Sequence, residues 1–120
     1  MLDKSTKIYV AGHRGLVGSA IWNNLWQRGY HNLIGRSHAE LDLTCQADVR
    51  RFFDEERPEA VVLAAAFVGG IMANSLYRAD FIMKNMQIQC NVIEEAYRHG
   101  VQRLLFLGST CIYPKNAPQP

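Results

Sequence analysis

Apolar and polar positions along this chain alternate between two rhythms. Short apolar stretches at Lys7–Ala11, Asn32–Gly35, Glu40–Leu43, Ala60–Ala66 and Arg103–Leu107 predict about five strands. The first and fourth are nearly continuous, as strands covered on both faces should be. Between them, apolar residues at helical spacing predict a helix over Leu16–Arg28 and another between Thr44 and Pro58 that turns Val49, Phe52 and Phe53 inward. Thr44 is placed to cap that second helix and Pro58 to stop it. A long helix is predicted from Asp80, as its cap, to about His99, with Phe81, Ile82, Met86, Ile88, Val92, Ile93, Ala96 and Tyr97 as a core stripe. Gly29 and Gly100 fall where helices end in a left-handed residue. Strand and helix in alternation define an α/β chain, a Rossmann-type doubly wound parallel sheet that is incomplete on its C-terminal side.

The organising stretch is Gly12-His13-Arg14-Gly15-Leu16-Val17-Gly18, between the first strand and the first helix. Glycines at a strand-to-helix turn let backbone approach an anion, and the helix start aims free N–H groups and a positive dipole end at it. A mononucleotide phosphate loop would need Lys followed by Ser or Thr after the last glycine, and Ser19-Ala20 stands there instead. An ordinary tight turn is the competing reading of the glycines.

After the second strand, a site for NAD carries a carboxylate for the ribose 2′-hydroxyl, whereas a 2′-phosphate calls for Arg. Arg14 in the glycine turn and Arg36 with His38 at the strand tip therefore favour NADP(H); Glu40 is the counter-indication, and solvated surface charge is the alternative for each cation. Asp42 is a candidate for the adenine amine or an exposed loop acid. Ala64, Ala65 and Ala66 leave room for a flat ligand at the carboxyl edge, or serve close packing. Asn85 and Asn91 interrupt the long helix as polar positions, and Ser109, Thr110 and Cys111 emerge together after the last strand.

Composition narrows the classes. At 120 residues and 48% apolar, one domain over 1–120 is expected. A net charge of +2 without basic runs points away from nucleic acid, and no stretch has transmembrane length or the form of a leader, so the expectation is a cytoplasmic chain with no membrane partner. Three cysteines without ligand spacing suggest reduced thiols and no metal.

The glycine triplet with Ala64–Ala66 and Ser109 resembles the extended short-chain dehydrogenase/reductases. Ala11–Ser19, Val68-Gly69-Gly70-Ile71, Ala79-Asp80-Phe81-Ile82 and Gly108-Ser109-Thr110-Cys111-Ile112-Tyr113-Pro114-Lys115 resemble, within them, the GDP-L-fucose synthases. The resemblance implies an NADPH-dependent epimerase and reductase acting on GDP-4-keto-6-deoxy-D-mannose, homodimeric at full length. It implies Ser109 as hydrogen-bond donor to the reacting carbonyl and Cys111 as the acid/base of epimerisation. Spacing and resemblance together place the cofactor against Gly12, His13, Arg14, Gly15, Leu16, Val17, Gly18, Arg36, His38, Asp42, Leu43, Ala64, Ala65, Ala66, Asn85, Leu107, Gly108, Ser109 and Thr110.

The chain departs from the family at Phe67, often Lys, and at Tyr77-Arg78-Ala79-Asp80, commonly Tyr-Pro-Ala-Asp. No Tyr-x-x-x-Lys is present; Tyr77 and Tyr113 have no Lys four residues on. The expectation is an N-terminal portion without its substrate domain and with little reductase activity alone, the alternative being a non-catalytic NADP-binding module or partner of a full-length relative.

Overall fold

The computed structural model describes residues 2–65 and 74–107. Its elements run β1 Ile8–Ala11, α1 Leu16–Gln27, β2 Leu33–Ile34, α2 Gln46–Glu56, β3 Ala60–Leu63, α3 Asn74–Arg98 and β4 Arg103–Phe106. The strands form one parallel sheet in the order β2-β1-β3-β4.

Alternation along β1 divides the core in two. Tyr9 and Ala11 join Val61 and Leu63 of β3 under Val49, Phe52 and Phe53 of α2 and Ile88, Val92 and Ala96 of α3. Ile8 and Val10 point the other way, with Ala60 and Val62, toward Ile21, Trp22 and Leu25 of α1. Every residue of β1 and β3 is thereby buried, which is why these strands read as unbroken apolar runs.

The chain leaves β1 for β2 on one side and returns across β1 to β3 on the other, so the strand order reverses between β1 and β3. Their carboxyl ends, joined where the Ala64 N–H donates to the Ala11 carbonyl at 2.9 Å, form the switch point at which such sheets hold ligands. Gly29 at φ 98° and Gly100 at φ 70° close α1 and α3 as their positions predict.

Three expectations are corrected. Glu40–Leu43 is a turn followed by irregular chain, leaving four strands among the described residues. Leu41 and Leu43 are buried as the pattern requires, while Glu40 and Asp42 fold back on local hydrogen bonds. Thr44 does not cap α2: Cys45 holds the cap position without a side-chain bond, and Asp42 accepts from the Thr44 N–H and hydroxyl at 3.0 and 2.6 Å.

The third correction concerns α3, which begins at Asn74, so Asp80 lies inside it. Only Ile88, Val92 and Ala96 of the expected stripe are buried, with Asn85 and Glu95 beside them. Ile82, Met86, Ile93 and Tyr97 are exposed, as is Met83, and the side chain of Phe81 lies outside the described set. Glu95, fully buried, sits within 3.4 Å of Arg50, 3.7 Å of His99 and 4.0 Å of Arg98, and His99 reaches Asp54 on α2 at 2.6 Å. A buried carboxylate needs such partners, and this one ties α2 to α3 well away from the switch point.

Candidate functional site

Gly12 ends β1 at φ 84°, a conformation that excludes ordinary side chains. Its missing Cβ would lie 2.8 Å from the Ala65 backbone, so the turn is pressed onto the end of β3. A Cβ on Gly18 would collide with the Gly12 carbonyl oxygen. These two glycines are demanded by the chain's own packing. Gly15 differs: it takes an ordinary extended conformation at φ −74°, and its Cβ would meet only the Gly12 oxygen at 3.4 Å. Its missing side chain leaves space on the ligand side.

Gly15 is the cap of α1, with no side-chain cap bond and no acid in the first turn. The first N–H groups of the helix therefore lack both an internal acceptor and a competing carboxylate. Beside them opens a cleft of about 410 Å³, lined by Gly12, His13, Arg14, Gly15, Arg36, Ser37, His38, Ala39, Leu43, Ala64 and Ala65. The glycine turn and the tip of β2, separated in sequence by α1, thus form two walls of one space.

The two arginines are not equivalent. Arg14 is exposed and joins no hydrogen bond or ion pair among the described residues. Arg36 donates to Glu56 at 2.9 Å and to the Gly35 carbonyl at 2.9 Å, with its guanidinium 5.3 Å from the Phe52 ring centre. Glu40 is turned away from the NAD-type role: it accepts from the Ser37 N–H at 2.8 Å while its own N–H donates to the Ser37 hydroxyl at 3.3 Å. The Ser37 N–H, and after it the Ser37 side chain, hold the Glu40 carboxyl below the usual range, and the bonds from Thr44 do the same for Asp42. His13 is pushed below the ordinary histidine value first by burial, then by Arg14; Glu40 pulls the other way, and Arg36 adds the least.

Of the fifteen expected cofactor positions that lie among the described residues, nine line the cleft. Leu43, Ala64 and Ala65 reach the cleft, but Asp42, Asn85 and Leu107 are not part of its described wall. Asn85 is buried in α3 and has a partner; Asn91 donates to the Leu43 carbonyl at 2.9 Å, a structural role. The side chains of Leu16 and Val17 lie on the outer face of α1, so any part they take in the site is through backbone. Ala66, Gly108, Ser109, Thr110 and Cys111 lie outside the described residues. Ser37 and Ala39 were missed by sequence reasoning, since neither type advertises a ligand. Among the described residues no cluster could hold a metal ion and no helix is long and apolar enough to cross a membrane.

Residues 8–120 match the NAD dependent epimerase/dehydratase family. The chain is 67% identical to GDP-L-fucose synthase 1 of Arabidopsis thaliana over 120 residues, all of this chain and 37% of that protein. It is 54% identical to GDP-L-fucose synthase of Escherichia coli over 114 residues, 95% of this chain and 36% of that protein. Among solved structures, MlghC, a GDP-mannoheptose C4 reductase from Campylobacter jejuni with NADP bound, superposes with a TM-score of 0.90 at 45% identity, covering 100% of this chain and 38% of that one. The chain thus spans little more than a third of the length of the curated relatives it matches.

Proposed function

Since the chain belongs to the NAD dependent epimerase/dehydratase family, we propose that it is the NADP(H)-holding part of a GDP-L-fucose synthase, which converts GDP-4-keto-6-deoxy-D-mannose to GDP-L-fucose. The observation that carries the reading is an exposed Arg14, unpaired among the described residues, inside a glycine turn that is packed shut on its protein side and open on the other, in a chain two-thirds identical to an enzyme of that name.

The residues present fit the dinucleotide. The bare helix start and Gly15 suit its diphosphate, Arg14 and Arg36 its 2′-phosphate, and Ala64 and Ala65 leave room for a flat ring along the sheet edge. When bound, the dinucleotide supplies hydride to the ketone carbon. The chain's part is to orient and to move protons. Ser109 donates a hydrogen bond to the ketone oxygen, where negative charge grows during both enolisation and reduction. Cys111 exchanges the proton on the carbon beside that ketone, a task for a thiol brought near neutrality. The Leu107 N–H donates to the Leu63 carbonyl at 3.1 Å at the carboxyl end of the sheet, two residues before Ser109 in the chain.

Homodimer assembly belongs to the reading, with the exposed apolar positions Ile82, Met86 and Ile93 on α3 as available surface, and so does a cytoplasmic setting, which suits the free thiols of Cys45 and Cys90. The test is to follow NADPH absorbance in the protein at its natural length, supplied with the keto sugar nucleotide. Oxidation of NADPH with formation of GDP-L-fucose, lost in Ser109→Ala, is expected. Reduction without epimerisation, or none at all, would overturn the assignment.

A further inference from the structure

His13 occupies a place that Gly35 leaves open. A Cβ at position 35 would stand 2.6 Å from Cγ of the His13 ring and 2.7 Å from its Cδ2 and Nδ1. The ring also stacks near Trp22 of α1, centre to centre 5.4 Å at 41°. Its Nδ1 is buried and has no hydrogen-bond partner among the described residues. The ring therefore fills by shape and not by hydrogen bonding at that atom. Its neighbours in sequence and space set the consequence: Arg14 follows His13 on one wall of the cleft, and Arg36 follows Gly35 on the other.

We infer that His13 is a positioning residue: its ring, seated against Gly35, fixes the distance between the Arg14 and Arg36 walls and thereby the preference for a 2′-phosphorylated dinucleotide. This rests on the reading of the cleft as an NADP(H) site. A diphosphate can be held by the glycine turn alone, whereas a 2′-phosphate gripped from both walls feels any change in their separation. Small displacements of paired binding groups carry large penalties.

The experiment measures NADPH and NADH dissociation constants by cofactor fluorescence in the protein at its natural length, for the wild type, His13→Ala, His13→Phe, Gly35→Ala and the His13→Ala/Gly35→Ala double variant, with near-ultraviolet circular dichroism as the fold control. Expected is a fall of about tenfold in the NADPH-to-NADH affinity ratio for His13→Ala and for Gly35→Ala, with NADH affinity nearly unchanged. His13→Phe, which keeps an aromatic ring while giving up Nδ1 and Nε2, retains the ratio, because the ring acts here by its shape. The double variant, in which the new methyl fills part of the vacated space, lies closer to wild type than either single one. An unchanged ratio in folded His13→Ala, a His13→Phe variant as impaired as His13→Ala, or additive losses in the double variant would each overturn the inference; should His13→Ala fail to fold, the His13→Phe and Gly35→Ala ratios decide. A wild type that does not prefer NADPH would instead remove the cofactor reading itself.

Discussion

The Arg36 guanidinium stands 2.9 Å from the Glu56 carboxylate, whose other oxygen lies 3.1 Å from the Lys7 ammonium. A cation that lines the ligand cleft is thus already engaged from behind. Glu56→Gln removes a competing negative charge and releases Arg36 toward the cleft. The expected result is NADPH bound about threefold tighter, since partly exposed pairs contribute roughly 0.2–1 kcal/mol. Fluorescence titration reads it, with thermal unfolding changed little.

Arg14 has no such restraint among the described residues and should carry more of the 2′-phosphate recognition. Arg14→Ala is expected to weaken NADPH binding by about ten- to a hundredfold while leaving NADH within about twofold, as loss of one charge-assisted bond of about 1.5–3 kcal/mol implies. Equal loss for both cofactors would place Arg14 on the diphosphate instead.

The glycines of the turn should separate by role. Gly18→Ala puts a methyl onto the Gly12 carbonyl oxygen and is expected to destabilise by about 2 kcal/mol or more, outweighing the roughly 1 kcal/mol gained from helix propensity. Gly15→Ala has room in the folded chain, so its stability should stay within about 1 kcal/mol of wild type while cofactor affinity falls. Denaturant unfolding and NADPH titration on the same two variants check the contrast.

His13 resists its proton because burial, Arg14 and Arg36 outweigh the opposing Glu40. Below the ordinary histidine value the unfolded chain binds that proton more readily than the folded one, so this residue subtracts stability as pH falls through about 6.5 toward the lower folded value. Above that window its contribution is constant. A proton NMR titration should place the His13 midpoint below the ordinary value, and His13→Phe should flatten the loss of stability on acidification. A midpoint above it would contradict the burial of the ring.

The sheet, its direction and the glycine turn were legible in sequence because each rests on a local signal: unbroken apolar runs, a helix start, and glycines where packing leaves no room. What escaped was decided by neighbours. The α3 stripe misled because that helix carries apolar residues on more than one side, and only contact with the sheet selects Ile88, Val92 and Ala96 over Met86 and Tyr97. Glu95 carries no sequence signal of burial; Arg50 from another helix and His99 from the next turn decide it. Glu40–Leu43 has the alternation of a strand, yet the bonds of Ser37 and Thr44 to its acids suit a turn better. Gly35 read as a strand end, and nothing in sequence tells that a histidine 22 positions earlier fills its missing side chain.

The central claim is that these residues hold a 2′-phosphorylated dinucleotide, and titration of the 120-residue chain with NADPH and NADH, following cofactor fluorescence and the unfolding midpoint together, tests it most directly. A ligand bound only by the folded state must raise that midpoint. The account predicts that NADPH binds about tenfold or more tightly than NADH and raises the midpoint further at equal concentration. A cooperatively folding chain that binds NADH equally well, or whose midpoint neither cofactor moves, would contradict it.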